Sequence, residues 1–336
     1  MHAEKVRNRP ILLVLRALKL GDLLVAVPAL KALRRQHEDH RIVLAAPLWL
    51  KPIVSLVDAV DELLPTPGLD EPIALPAGVV DIAANLHGNG IESQNRVLAL
   101  DAGVSMLHRV QGRDLPENAD RRCPPWIEDM HERERWVRLV ESFGARGDPD
   151  AVRIKPPANA TVRPGAIVVH VGAAYRSRHW PIENFASVVR GLAAFESRVV
   201  VTGGKTDQPR AEQVAERSGI EPSGMLAGRL GLGQFAALIA EASLVISVDT
   251  GAAHLASAYA TPSVVLFGPA KPERWGPPPG PHTVLTHADR RRGAAFADRP
   301  DPALLAVTPD EVIAAAASLL RTERDPARPV TPRASR

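Results

Sequence analysis

Three short windows carry side chains whose types and spacing could do chemistry. The densest is Ser247-Val248-Asp249-Thr250-Gly251-Ala252-Ala253-His254, where an apolar run ends at Asp249 and turns at once into a small-residue helix start. Thr250 is placed as an N-cap, and Gly251 lets another group approach the backbone closely. The N–H groups of Gly251, Ala252 and Ala253 would then point out of a helix N-terminus, where a diphosphate is favoured. An ordinary capped strand-to-helix turn accounts for this window about as well. His254 by itself reads more readily as a packed histidine than as a catalytic one.

The second window spans residues 172–181 and carries Tyr175, Arg176, Arg178, His179 and Trp180 between an apolar run and a helix start. A guanidinium in such a loop can neutralise phosphate bidentately. A solvated loop whose Trp180 packs on the domain explains it equally. The third window, residues 17–22, ends at Asp22. Read alone, helix capping is the stronger account of Asp22. The functional account makes it a carboxylate at the C-terminal edge of the first strand, the edge where doubly wound sheets bind ligands. Two other motifs fail on inspection. Gly204-Lys205-Thr206 resembles the end of a phosphate-binding Walker loop, but the glycine required five positions earlier is Val199. The first strand-to-helix turn has only Gly21, which removes the main support for a dinucleotide-dependent dehydrogenase. Gly203 and Gly204 fit better as a strand-end turn that gives a nucleotide room to approach.

The elements that would position these windows alternate. Residues 11–16, 41–46 and 79–86 read as buried strands, and 23–35, 50–57, 92–101 and 128–143 as helices. Pro28 falls inside the first helix, where it should bend the helix or meet a freed carbonyl. Residues 155–165 hold three prolines and no apolar period, the best linker in the chain. The alternation then restarts, with strands at 166–171, 198–202, 244–248 and 263–267. Helices follow at 182–195, 208–218, 252–258 and 309–320, the last capped by Thr308 with Pro309 at its first position. The expectation is an α/β protein of two Rossmann-like, doubly wound domains, 1–160 and 161–321, facing a cleft, with a flexible basic tail at 322–336.

Composition agrees with this and narrows the function. A chain of 336 residues exceeds one ordinary core, and its 45% hydrophobic and 24% charged residues are normal for a globular protein. The formal net charge of +3 is weak support for nucleic acid. The run Arg290-Arg291-Arg292 and the Arg-bearing tail lack interleaved aromatics and read as solvated. A lone cysteine, Cys123, excludes an intrachain disulfide and a multi-cysteine metal site. No His/Asp/Glu/Cys cluster shows metal-ligand spacing, so neither a metal nor another cofactor is expected. No run is long and apolar enough to span a bilayer, and the segment from Ile11 is a poor signal peptide because Arg16 and Lys19 break it. Cytoplasm is the default location.

Taken in order, the motifs form a recognisable series. Leu20-Gly21-Asp22 with Pro28-Ala29-Leu30 is followed by His170-Val171-Gly172-Ala173 and Arg178-His179-Trp180-Pro181. Thr202-Gly203-Gly204 comes next, then Asp249-Thr250-Gly251-Ala252-Ala253-His254-Leu255, Phe267-Gly268-Pro269 and Arg274-Trp275-Gly276-Pro277. The series resembles glycosyltransferase family nine, the heptosyltransferases of lipopolysaccharide core assembly, over nearly the whole chain. The resemblance implies a GT-B fold and an inverting, metal-independent transfer from a nucleotide-diphosphate sugar, ADP-heptose in the first place. The acceptor would be a hydroxyl of a lipopolysaccharide core, another cell-envelope glycan or a small natural product, and peripheral membrane contact is compatible with it. By the same resemblance the first domain binds the acceptor, the second binds the donor, and Asp22 is the general base. Arg178, Gly203, Gly204, Asp249, Thr250, Gly251, Ala252, Ala253 and His254 would hold the donor. Two departures stand out. The family usually has lysine at the position of Arg178, and many members carry a cysteine-containing segment where residues 289–302 have none. A nucleotide-sugar epimerase of the same architecture and a non-catalytic nucleotide-sugar binder are the competing readings. The first would turn over donor without acceptor; the second would form no product.

Overall fold

The computed structural model describes residues 9–110, 112, 120–158, 163–192 and 198–324. The chain divides into two compact units, Met1–Asn159 with Glu273–Pro278, and Ala160–Pro272 with Pro279–Arg336. The expected domain boundary at 160/161, part of the linker and residues 325–336 of the expected tail lie outside the described residues.

The first unit is built on five parallel strands, β1 (Ile11–Leu15), β2 (Arg41–Ala46), β3 (Glu62–Pro65), β4 (Val80–Asn85) and β5 (Val104–Met106), in the order β3-β2-β1-β4-β5. Leu15 of β1 is in register with Ala45 of β2 and with Asn85 of β4. Leu12, Leu13, Val14 and Leu15 are all fully buried, as a strand covered by helices on both faces must be. Helices α1 (Leu20–Gln36), α2 (Lys51–Val54), α3 (Ile91–Leu98) and α4 (Glu132–Glu141) complete the unit. Helix α1 begins earlier than its composition suggests. Its N-cap is Lys19, and Asp22 is its third residue, with the carboxylate reaching back to the Lys19 N–H at 3.2 Å. The helix runs through Pro28, which is buried.

The second unit repeats the plan with β6 (Ile167–His170), β7 (Val199–Thr202), β8 (Leu244–Val248), β9 (Ser263–Leu266) and β10 (His282–Leu285), all parallel, in the order β10-β9-β8-β6-β7. Its helices are α5 (Ile182–Leu192), α6 (Gln208–Ser218), α7 (Leu232–Ala240), α8 (Gly251–Tyr259), α9 (Pro272–Trp275), α10 (Pro302–Leu305) and α11 (Pro309–Arg324). The last three residues of α9 belong to the first unit. Thr308 and Glu311 form a reciprocal cap on α11: the Thr308 N–H donates to Oε2 of Glu311 at 2.8 Å, and the Glu311 N–H donates to Oγ1 of Thr308 at 3.3 Å. Residues 322–324, expected in the tail, continue this helix.

Strands β3, β5 and β10 and helix α7 are not apparent in the hydrophobic pattern. The three strands are short sheet edges, and β3 and β10 are only half-buried, so they lack the continuous apolar run of a central strand. β3 also ends at Pro65, tolerated only at an edge. Helix α7 opens on Gly231, whose N–H donates to Oε1 of Gln234 at 2.9 Å, and Gly233 follows inside its first turn. Among the described residues no helix is long and apolar enough to cross a membrane.

In each sheet the strand order reverses once, between β1 and β4 in the first unit and between β6 and β8 in the second. The connections leave in opposite directions there, opening a crevice at the C-terminal strand ends. Trp180 fixes the loop after β6. It is fully buried, its Nε1 donates to the Val307 carbonyl at 3.0 Å, and its ring meets Phe185 edge-on at 5.0 Å. Replacing Trp180 by Ala should therefore cost roughly 3–5 kcal/mol. Guanidinium chloride unfolding of both proteins measures this, and a change under about 1 kcal/mol would contradict the packing role.

Candidate functional site

In the second unit the loops after β6 and β8 meet at the strand-order reversal. Nη1 of Arg178 donates to the Asp249 carbonyl at 3.1 Å and lies 3.5 Å from Oδ2 of the same residue. Asp249 is 3% exposed, and its Oδ1 lies 3.7 Å from Nε2 of His254 one helical turn on. Thr250 occupies the N-cap position of α8, but its side chain makes no capping bond. The first intrahelical bond runs from the His254 N–H to the Thr250 carbonyl at 3.3 Å. The N–H groups of Gly251, Ala252 and Ala253 come before it and stay at the helix mouth.

Four buried polar atoms around this turn have no hydrogen-bond partner: Nε of Arg178, Oγ of Ser247, Oδ2 of Asp249 and Oγ1 of Thr250. Buried polar atoms are normally satisfied, because leaving one bare costs about 1–3 kcal/mol. Three of them, Nε of Arg178, Oγ of Ser247 and Oγ1 of Thr250, can donate, and at a helix N-terminus they form an arrangement that a polyanionic ligand would complete, whereas Oδ2 of Asp249 can only accept. The loop carrying Arg178 is braced from behind. Oγ of Ser177 donates to the Ala295 carbonyl, and the Asp301 N–H donates to the Ser177 carbonyl at 3.0 Å. Buried Asp301 in turn accepts from the N–H groups of Arg292, Gly293 and Ala303. Residues 289–302 thus hold the Arg178 loop in place.

Gly203 and Gly204 lie at the end of β7, one strand away from the reversal. Their local demand comes from Asp207, which the sequence windows did not single out. The Gly204 N–H donates to Oδ2 of Asp207 at 2.8 Å, and a Cβ at Gly203 would stand 2.8 Å from the Asp207 Cβ. A Cβ at Gly172 would collide with the same carboxylate. The only signal in the sequence is the position of Asp207 just before a helix with Pro209 in its first turn.

In the first unit, Asp22 follows β1 at the reversal, with a quarter of its side chain exposed. Two residues that the windows did not single out stand with it. Arg16, 1% exposed, donates from Nε to the Asp22 carbonyl at 2.9 Å and from Nη1 to the Leu86 carbonyl, and its Nη2 lies 3.7 Å from Oδ1 of Asp22. His87 follows β4; its N–H donates to Oδ1 of Asn85 at 3.0 Å, and its Nδ1 is buried without a partner. Burial, then the nearby Arg16 charge, pushes the His87 imidazole down to about 4, with Asp22 opposing. Arg16 is hard to single out from sequence, because a charge ending an apolar run reads as the strand's solvated end. Among the described residues no group of three or more His, Cys, Asp or Glu side chains could hold a metal ion. Burial raises the Cys123 thiol above its ordinary value, which keeps it protonated and inert.

The description "Glycosyltransferase family 9 (heptosyltransferase)" matches residues 146–298. Lipopolysaccharide heptosyltransferase 2 of Salmonella typhimurium is 23% identical, with 90% of this chain and 97% of that protein covered. The solved structure of Escherichia coli ADP-heptose lipopolysaccharide heptosyltransferase II superposes with a TM-score of 0.70 at 19% identity, covering 94% of this chain and 99% of that one. An E. coli heptosyltransferase with ADP gives 0.67 at 20% identity, covering 92% and 99%. The fold is that of the GT-B enzymes.

Three histidines give the protein a defined response to acid. Burial pushes His87 and His170 to about 4 and His108 to about 3, from an ordinary 6.5. Below about pH 6.5 the unfolded chain binds protons that the folded chain refuses. Stability should therefore be full above that pH and fall as pH drops from 6.5 towards 4. Urea midpoints across this range check the sign, and His170→Gln should flatten part of the slope. A midpoint constant from pH 7 to pH 4 would contradict it.

Proposed function

We propose that this chain, a glycosyltransferase similar to family 9 over residues 146–298, moves a heptose from ADP-heptose to a hydroxyl of a lipopolysaccharide core or a related cell-envelope glycan. The observation that carries this reading is the cluster of unsatisfied donors of Arg178, Ser247 and Thr250 at the mouth of α8. The likeness to heptosyltransferases, one of them solved with ADP, supports the choice of nucleotide and sugar.

In this proposal the second unit binds the donor. Arg178 and the N–H groups of Gly251, Ala252 and Ala253 face the diphosphate, Asp249 and His254 orient that loop, and Gly203 and Gly204 border the nucleotide. The first unit binds the acceptor, and Asp22 is its general base. The Asp22 carboxylate takes the proton of the acceptor hydroxyl as its oxygen bonds to the anomeric carbon. The bond from that carbon to the diphosphate oxygen breaks, and ADP leaves with the electron pair. A single displacement inverts the anomeric centre. The charge that develops on the diphosphate is met by the guanidinium and the helix mouth, so no metal is required. A cytoplasmic protein in peripheral contact with the membrane suits a lipid-linked acceptor.

The deciding experiment incubates the protein with ADP-heptose and with UDP- and GDP-sugars against a panel of acceptors that includes heptose-deficient lipopolysaccharide. Product only with ADP-heptose and a glycan acceptor is expected; donor conversion without acceptor would indicate an epimerase instead. Asp22→Asn should lower turnover by roughly 10²–10⁴-fold with ADP binding nearly unchanged. Arg178→Ala removes a charge-assisted contact worth about 1.5–3 kcal/mol, so ADP should bind roughly ten- to a hundredfold more weakly. Calorimetry with ADP reads both, and unchanged affinity in the Arg178 variant would move the nucleotide elsewhere.

A further inference from the structure

We propose that Arg16 is the positioning residue of the acceptor half of this site, a buried guanidinium that fixes the β1–α1 turn and thereby the Asp22 carboxylate. The inference rests on the assignment of Asp22 as general base. Burying a guanidinium is costly unless its donors are used, and an apolar side chain in the same space is often the more stable choice. The contacts of Arg16 explain why a cation stands there. Its Nε holds the Asp22 carbonyl at 2.9 Å, inside the first turn of α1, and its Nη1 holds the Leu86 carbonyl just past β4. One planar group therefore ties together the two strand ends that part at the reversal.

Its third nitrogen distinguishes a positioning role from a purely structural one. Nη2 is buried, has no hydrogen-bond partner and faces Oδ1 of Asp22 at 3.7 Å. A residue needed only to brace two carbonyls has no reason to aim its remaining donors at the one carboxylate of the site. The guanidinium is kept in that plane from behind. The Trp136 ring lies 4.7 Å from its central carbon. Fully buried Arg135 stacks on Trp126 at 3.8 Å and donates from Nε to Oε1 of Glu132 at 3.0 Å. Glu132 also pairs with Nη2 of Arg274 at 3.6 Å. Asp22, Glu132, Arg135 and His87 are the charged or titratable groups that sense Arg16. Asp22 and Glu132 offset its charge, and His87 remains neutral beside it.

A double-mutant cycle in the intact protein tests this, with ADP-heptose and the acceptor that gives turnover, and with ADP calorimetry. Arg16→Gln keeps two donors and most of the length but loses the charge and the fork. It should lower kcat by roughly ten- to a hundredfold, the scale of a 1 Å misplacement of a reacting group, while ADP affinity stays within about twofold, the scale of a few tenths of a kcal/mol. Arg16→Lys, which keeps the charge, should recover part of kcat. The Arg16→Gln, Asp22→Asn double variant should be no slower than Asp22→Asn alone, because Arg16 acts through Asp22. A residue that merely supports the fold would slow the Asp22→Asn background further, and that result overturns the proposal. So does a folded Arg16→Gln protein with wild-type kcat. If the Gln variant does not fold, wild-type kcat in Arg16→Lys overturns it instead. An Asp22→Asn protein with near-wild-type turnover removes the base assignment and this role together. A strongly slowed Asp22→Asn beside a fully active Arg16→Gln removes this role alone.

Discussion

A parallel sheet covered by helices on both faces leaves only its ends for function. In each unit of this protein the central strands are enclosed and almost wholly apolar, with Ser247 near the end of β8 the polar exception in these two strands. The loops at the C-terminal ends are the available positions, and they diverge only where the strand order reverses. Asp22, Arg16 and His87 gather at the β1/β4 reversal, and Arg178, Asp249 and Thr250 at the β6/β8 reversal. The Trp180 anchor and the Asp301 brace keep the Arg178 loop in place.

The two reversals differ in how far their buried polar groups are satisfied. In the first unit, burial of Arg16 is largely compensated by carbonyls, an aromatic face and nearby carboxylates, with Nη2 of Arg16 and Nδ1 of His87 left without hydrogen-bond partners. In the second, Arg178 contacts Asp249, yet four buried polar atoms remain unsatisfied at the helix mouth. The first arrangement suits a group that must be held still. The second suits one that waits for a charged ligand to complete its bonding. Neither could be built on an exposed surface, where water would satisfy the same atoms and weaken every charge.

Residues with a double demand are where local reading is least decisive. Asp22 both caps α1, accepting the Lys19 N–H, and is the carboxylate beside Arg16, so capping and chemistry are not alternatives there. Gly203 and Gly204 are shaped by Asp207, whose carboxylate takes an N–H from one and excludes a side chain at the other. In both cases a residue's local structural role also determines where its functional atoms lie.

The sequence by itself determined the α/β class, the central strands, the ordered motif series and the family resemblance, because each depends on local periodicity or on residue order along the chain. It also pointed to the windows around Asp22, Arg178 and Asp249, where strand ends run into loops. Only the tertiary structure decided which edge strands complete each sheet. β3, β5 and β10 owe their conformation to a neighbouring strand and carry little apolar pattern of their own. It alone brought Arg16 to Leu86 across 70 positions, and Arg178 to Asp249 across 71. It also showed that residues 289–302 brace the Arg178 loop through Asp301 and Ser177. Such contacts are set by strand order and by the need to satisfy buried polar atoms, and neither is written in any local stretch of residues.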